Sequence, residues 1–368
     1  MSPSPSTLPL HDFLRRRVPG TPLTKLLVTA NLLVFLAMLA GGPGLWHSSN
    51  SVQLAWGANF GPATQDGGWW RLGSAMFLHF GVLHLTLNLW ALWDAGQLVE
   101  RMYGHIRFTF IYFLSGLTGN LLSLVAHKGL AISGGASGAI FGIYGALLVF
   151  MWREQNNLHP RDFRWFFWGA AGFATVSLAL GFLITGIDNA AHIGGFIAGL
   201  LGGVVCTLPS ETPPRPGSRF NKFRIYAAGI YILMIGIFVS QIPTRTYRWS
   251  EEIHARKEIG EFLREDAAIS HTWRSILDEA RASGISFDEL AGRIDSAIGD
   301  RYEESFEDLS RLPSNPALPS ATTIMMLRNY AERRRDASRT LAEGLRANSP
   351  EQIREALEMA RGAPRSPQ

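Results

Sequence analysis

The sequence has one cysteine, Cys206, so no intramolecular disulfide can form. Near the end of an apolar stretch, that thiol reads as a small buried side chain. A strong charge of either sign is also missing, since 34 Lys and Arg stand against 30 Asp and Glu, a formal +4. The positive residues of the apolar half lie beside apolar segments and form no continuous stripe, which argues against nucleic acid as a partner. At the N-terminus, Met1 to Gly20 is Pro/Ser-rich and then basic at Arg15-Arg16-Arg17, with no apolar core leading to a small-residue cleavage site. It reads as a disordered cytosolic tail rather than a cleaved signal. No internal repeat or interrupted helix pair marks the apolar half, against a polytopic transporter. The charged C-terminal region holds neither metal-ligand spacing nor a phosphate loop, so no metal or cofactor is expected.

What is present divides at about Pro243, with Leu, Phe, Trp, Ala and Gly before it and Arg, Glu, Asp and Ser after it. A membrane-spanning helix needs ~20 mostly apolar residues. Seven segments qualify: Lys25 to Ala40, Leu72 to Leu98, Phe108 to Ala126, Ala131 to Met151, Trp165 to Thr185, Ala190 to Leu208 and Phe223 to Ile242. Lys and Arg concentrate before the first span and in alternate connections, at Arg101 and Arg107, at Arg153, Arg161 and Arg164, and at Arg215, Arg219, Lys222 and Arg224. The positive-inside rule puts those connections in the cytoplasm, and an odd number of spans then puts the C-terminal portion outside. Arg245 and Arg248, just past the seventh span, run against that last placement.

The connection from Gly42 to Arg71 is long and carries Trp46, Trp56, Trp69 and Trp70. Such a loop is either structured and partly membrane-embedded or a simple aromatic belt at the headgroups. Beyond Tyr247, spaced apolar residues among charges predict helices over Ser250 to Arg264, Ala267 to Ser283, Phe287 to Ile298, Ser320 to Ala347 and Pro350 to Ala360. Ser286 with Glu289 reads as a capping box, and Ser349 as the cap before Pro350.

A serine among glycines, Gly134-Gly135-Ala136-Ser137-Gly138, heads the fourth span. His79, His84 and Asn88 on the second span, Ser137 on the fourth and His192 on the sixth all fall toward the external side, so one site can hold them. A serine hydroxyl needs a base, usually a neutral histidine, and His192 is the candidate. Gly134, Gly138 and Gly142 on one span and Gly195, Gly199 and Gly203 on the other form small-residue rows that permit close approach. His84 and Asn88, four apart, project from one side of their helix and can supply oxyanion donors with the Ser137 amide. The bland alternatives are that Ser137 packs and that His84 and Asn88 bind neighbouring backbone. Asp188 can orient His192 or cap its helix, and the cap is the favoured reading.

Five stretches together resemble the rhomboid intramembrane serine proteases: Trp70-Arg71; Phe77-Leu78-His79 with His84-Leu85-Thr86-Leu87-Asn88; Glu100-Arg101-Met102-Tyr103-Gly104; Gly135-Ala136-Ser137-Gly138; and Ala191-His192-Ile193-Gly194-Gly195. The resemblance covers about Lys25 to Leu208. It implies a Ser137/His192 dyad, oxyanion donors from His84, Asn88 and the Ser137 amide, supporting roles for Gly135 and Gly138, and Phe141 packed beside His192. It also implies that Trp70 and Arg71 belong to the embedded loop, and that the seventh span makes a six-plus-one arrangement.

The expected fold class is an all-α polytopic membrane helix bundle, a rhomboid-like core plus a seventh span, with a small C-terminal helical soluble domain. The expected division is a disordered cytoplasmic tail over 1–22, the catalytic core over 23–208, a linker and seventh span over 209–243, and an extracytoplasmic helical domain over 244–368. The expected activity is cleavage of transmembrane protein substrates within the lipid bilayer, in a bacterial cell (inner) membrane. The alternative is a catalytically silent membrane-protein binding factor of the same fold.

Overall fold

The computed structural model describes residues 10–42, 44–155, 158–207 and 219–362. It divides into two compact units, Met1–Arg245 and Thr246–Gln368. Among the described residues all regular structure is helical, apart from an isolated antiparallel bridge between Asn59 and Ser133.

The first unit begins with a short helix α1 (Leu10–Arg17), within the stretch expected to be disordered. Leu10 and Leu14 are four apart, so they share one face of the helix, and both are buried against the bundle. That apolar pair is why the tail reading fails for these residues. Residues 1–9, most of the 209–219 linker and the polar tail beyond 362 lie outside the described residues.

The long helices are α2 (Pro22–Ala40), α6 (Val82–Tyr103), α7 (His105–Ala126), α8 (Ser137–Glu154), α9 (Pro160–Leu183), α10 (Asn189–Cys206) and α11 (Arg219–Ser240). Five of these are long and apolar enough to cross a membrane, and α6 adds a sixth span when joined to the bent segment before it. The shorter α8 ends on Arg153-Glu154 and is the buried centre, with every residue from Gly138 to Leu147 shielded. A helix apolar on all sides belongs inside a bundle. By contrast α9 and α11 are 17% and 6% buried over their apolar windows, and the large side chains they leave exposed suit lipid.

Two spans begin later than the hydropathy pattern predicts. The stretch from Leu72 is not one helix with α6. A short turn α5 (Arg71–Ser74) and a 3₁₀ turn (Ala75–Phe77) meet α6 at 92°, across a break at Leu78 to Gly81. The break is held by the preceding loop, since Ser48 N–H donates to Phe80 O (2.7 Å) and Val82 N–H to Leu45 O (3.0 Å). Likewise the fourth span starts at Ser137, not Ala131. The Ser133 backbone is spent on the bridge to Asn59, and Gly135 takes φ +138°, a left-handed conformation that favours glycine. Gly134 therefore drops out of the small-residue row on α8.

The Glu100-Arg101-Met102-Tyr103 stretch anchors the end of α6. Glu100, fully buried, accepts from Leu23 N–H, Thr24 N–H and Thr24 Oγ1, closing the open N-terminus of α2. Arg101 donates to the carbonyls of Val18 and Pro19, and Tyr103 to that of Ala146 on α8.

In the second unit the first two expected helices are one, α12 (Trp249–Ser283). Its buried residues Ala255, Phe262, Ile269 and Ile276 repeat every seven positions, so one apolar seam runs unbroken through the expected gap. It packs with α14 (Asp300–Ser310), which the sequence reading missed, and α15 (Ala321–Arg346); α13 (Phe287–Ile294) and α16 (Pro350–Gly362) complete the unit. Asp266 interrupts the seam and accepts from Tyr302 Oη (2.7 Å) and Tyr330 Oη (3.0 Å). Burial pushes the Tyr302 hydroxyl above its ordinary pKa, with Arg334 opposing, so it stays a donor at neutral pH. Ser286 and Ser349 cap α13 and α16 as expected.

Candidate active site

Three helix starts and one loop build the site. Ser137 is the first residue of α8, so its N–H is among the four that find no intrahelical acceptor. The loop before it is fixed by the paired Asn59 and Ser133 backbones and by Gly135 N–H donating to Ala75 O (2.8 Å). Opposite stands the first turn of α10, where Asp188 caps the helix by accepting from Ala191 N–H (3.0 Å).

Close backbone approach brings these two starts together. A β-carbon at Gly195 would overlap the Gly138 carbonyl, and one at Gly199 would overlap Gly142. With nothing larger than hydrogen at the crossing, α10 lies against α8 and His192 Nε2 sits 2.9 Å from Ser137 Oγ. The Phe141 ring stacks on the His192 imidazole at 4.3 Å and 15°, which restrains its rotation.

Among the described residues the Asp188 carboxylate makes no hydrogen bond to the His192 imidazole. One carboxylate oxygen caps α10, and the other accepts from Ser123 Oγ on α7 (2.5 Å) and Ser133 Oγ in the loop (2.6 Å). His192 Nδ1 has no hydrogen-bond partner among the described residues. Asp188 thus clamps the His192 helix, α7 and the serine loop to one another. Replacing it with alanine strands three donors and is expected to lower stability by about 2–4 kcal/mol. Asp188→Asn keeps a cap acceptor and should lose less. Thermal unfolding in detergent measures both; a fall in turnover by Asp188→Asn at unchanged stability would instead favour a direct action on His192.

His84 and Asn88 lie in the first two turns of α6. A β-carbon on Gly135 would stand 2.9 Å from His84 Cε1 and Nε2 and 3.7 Å from Ser137 Oγ, so the imidazole and the hydroxyl flank that glycine. Asn88 is buried beneath them, and its amide donates to His84 O (2.8 Å), the neighbouring-backbone bond weighed above. His79 falls in the break before α6, fully buried, its ring edge-on to His84 at 5.0 Å.

Trp70 and Arg71 sit in the structured loop, which holds α3 (Asn50–Trp56) and α4 (Gly61–Gln65). Arg71 donates to Leu54 O and Ala58 O, and its guanidinium lies over the Trp70 ring at 4.9 Å. They tie the loop together and touch neither Ser137 nor His192. Sequence reasoning missed Asn59, Asn120, Ser123 and Ser133, which join this loop to α7 and α10. Asn59 donates to Asn120 O and Asn120 to Leu72 O. The signal for three of them, Asn120, Ser123 and Ser133, was present, since polar side chains inside an apolar span demand partners. Among the described residues no group of three or more His, Cys, Asp or Glu is placed to hold a metal ion.

This geometry can be set beside known proteins. Residues 66–208 match the model of the Rhomboid domain, a stretch that includes Trp70, Arg71, His79, His84, Asn88, Ser137 and His192. The rhomboid protease GluP of Bacillus subtilis (strain 168) is 29% identical over 304 residues, 82% of this chain, and the chain spans 56% of that relative. The rhomboid protease AarA of Providencia stuartii is 33% identical over 49% of this chain and 70% of its own length. Rhomboid-like protease 3 of Toxoplasma gondii is 31% identical over 54% of this chain and 73% of its own. With matching relatives largely spanned, a helical bundle, and several apolar helices fit to cross a bilayer, this multi-pass membrane protein belongs to the rhomboid family.

Proposed function

We propose that the protein is an intramembrane serine endopeptidase that cuts transmembrane segments of other membrane proteins near the outer face. The observation that carries this reading is the 2.9 Å approach of His192 Nε2 to Ser137 Oγ, between two helix starts locked by glycine contacts. His192 removes the hydroxyl proton as Ser137 attacks the scissile carbonyl, then returns it to the leaving amine. Water repeats the sequence on the acyl-enzyme. The developing oxyanion is met by the free Ser137 N–H at the positive end of α8, with His84 and the Asn88 amide, once released from His84 O, completing the donors. A substrate helix must first unwind, because its backbone groups are shielded, so segments of weak helix formers suit. The charge distribution supports a cytoplasmic N-terminus and a C-terminal unit on the opposite side of the membrane.

A fluorophosphonate serine probe tests the reading on purified full-length protein. Wild type is expected to label and to cleave members of a panel of single-span substrates, and Ser137→Ala to do neither. Should wild type label no better than Ser137→Ala, with no cleavage by either, the chain is a silent binding factor instead.

A further inference from the structure

A fully buried glutamine stands in the structured loop, Gln53 of α3, and its Nε2 donates to the carbonyl of His79 (3.0 Å), in the break before α6. That carbonyl shares a peptide group with the N–H of Phe80. In a trans peptide the two point in opposite directions, so a donor fastened to His79 O fixes where the Phe80 N–H is aimed.

Its target is His84. Phe80 N–H meets His84 Nδ1 at 3.5 Å, the long end of the hydrogen-bond range, and among the described residues it makes no other hydrogen bond. The next two peptide groups are fastened as well, Phe80 O by Ser48 N–H and Val82 N–H by Leu45 O. Gly81 between them has extended backbone, φ 172°, open to any residue, so glycine is there for space. A β-carbon at Gly81 would stand 2.1 Å from the Trp46 carbonyl oxygen.

A backbone N–H can only donate, so His84 Nδ1 is the acceptor, and in a neutral imidazole the proton then sits on Nε2. The orientation of the ring agrees. Cε1 and Nε2 are the atoms that face Gly135, beside Ser137 Oγ, while Nδ1 is turned back toward the break. The Phe80 ring lies near-parallel to the imidazole at 6.4 Å and 23°, and His79 stands edge-on to it at 5.0 Å, so the ring is flanked on two sides.

Resting on the protease reading, we propose that Gln53 is a positioning residue for the oxyanion donors. It holds the His79–Phe80 peptide so that the Phe80 N–H keeps His84 in the Nε2–H form, the form that donates toward the developing charge. The opposite tautomer presents a lone pair to the oxyanion and repels it. The loop thus acts on the chemistry through one side chain and one peptide group.

Two variants of the full-length protein in detergent test this. Gln53→Met keeps the length of the side chain and removes its donor. Installing the α-hydroxy analogue of phenylalanine at position 80 turns that amide into an ester, which deletes the Phe80 N–H and leaves every side chain in place. Nitrogen NMR of histidine-labelled protein distinguishes the two tautomers of His84, whose signal is identified by its loss in His84→Ala. Wild type is expected to show the Nε2–H form. Both variants should populate the Nδ1–H form and lose about five- to tenfold in kcat on a single-span reporter, with KM within about twofold of wild type. In the His84→Ala background the same two changes should cost nothing further in the rate of fluorophosphonate labelling, because the path runs through that imidazole. A wild-type signal in the Nδ1–H form overturns the proposal, and so does an unchanged tautomer in both variants. Equal losses of rate with and without His84 overturn it too, since Gln53 would then be merely structural. Should Gln53→Met fail to fold, the ester variant alone decides. Absence of labelling and cleavage in wild type would sink the protease reading, whereas the tautomer is read without turnover and judges the Gln53 path separately.

Discussion

Replacing His192 with alanine is expected to reduce cleavage of a transmembrane reporter by about 10³-fold or more, with the fold retained. Among the described residues Ser137 Oγ has one basic neighbour within hydrogen-bond distance, Nε2 of His192, and the carboxylate of Asp188, four residues before that histidine, is engaged on three other donors. Loss of the imidazole therefore leaves the hydroxyl without a proton acceptor. The structural loss is smaller, since the contacts removed are the stack on Phe141 and the bond to Ser137. Initial rates in detergent and thermal unfolding of the same preparation separate the two effects. A variant within tenfold of wild type would show that His192 is not the base.

Gly195→Ala is expected to be almost as damaging, although the residue touches no substrate. An added methyl would overlap the Gly138 carbonyl, and backbone cannot swing aside as a flexible side chain can. Helices α8 and α10 must separate, and the Ser137–His192 distance is set by that separation. A misplacement of about 1 Å in a reacting pair can cost 10²-fold in rate, so a loss of at least that size is expected, together with a clear fall in melting temperature. Gly229→Ala on α11 is the control, because a β-carbon there meets nothing within 4 Å. It should match wild type in rate and be neutral or slightly stabilising. Equal behaviour of the two variants would show that the glycine crossing does not set the site.

Much of this site was legible in the sequence. A serine among glycines in an apolar run, a histidine followed at three and seven positions by glycine, and a His and Asn four apart are statements about helix faces. Hydropathy likewise located the spans, because length and apolar content are local properties. Where each helix begins was decided otherwise. Leu72 to Gly81 and Ala131 to Ala136 are apolar enough to be helical, and they are not helical throughout because distant backbone claims their hydrogen bonds: Leu45 and Ser48 for one, Asn59 and Ala75 for the other. Those late starts put Ser137 at the mouth of α8 with its amide free. The long-range clamp of Asp188 on Ser123 and Ser133 has the same origin.

What the sequence determined by itself is therefore the family of the chain, the order of its spans, and the two residues that meet, since these rest on residue type and helical spacing. The tertiary structure alone decided where the spans break and which partners Asp188 takes. Each of these depends on contacts between segments tens of residues apart, for which local spacing carries no signal.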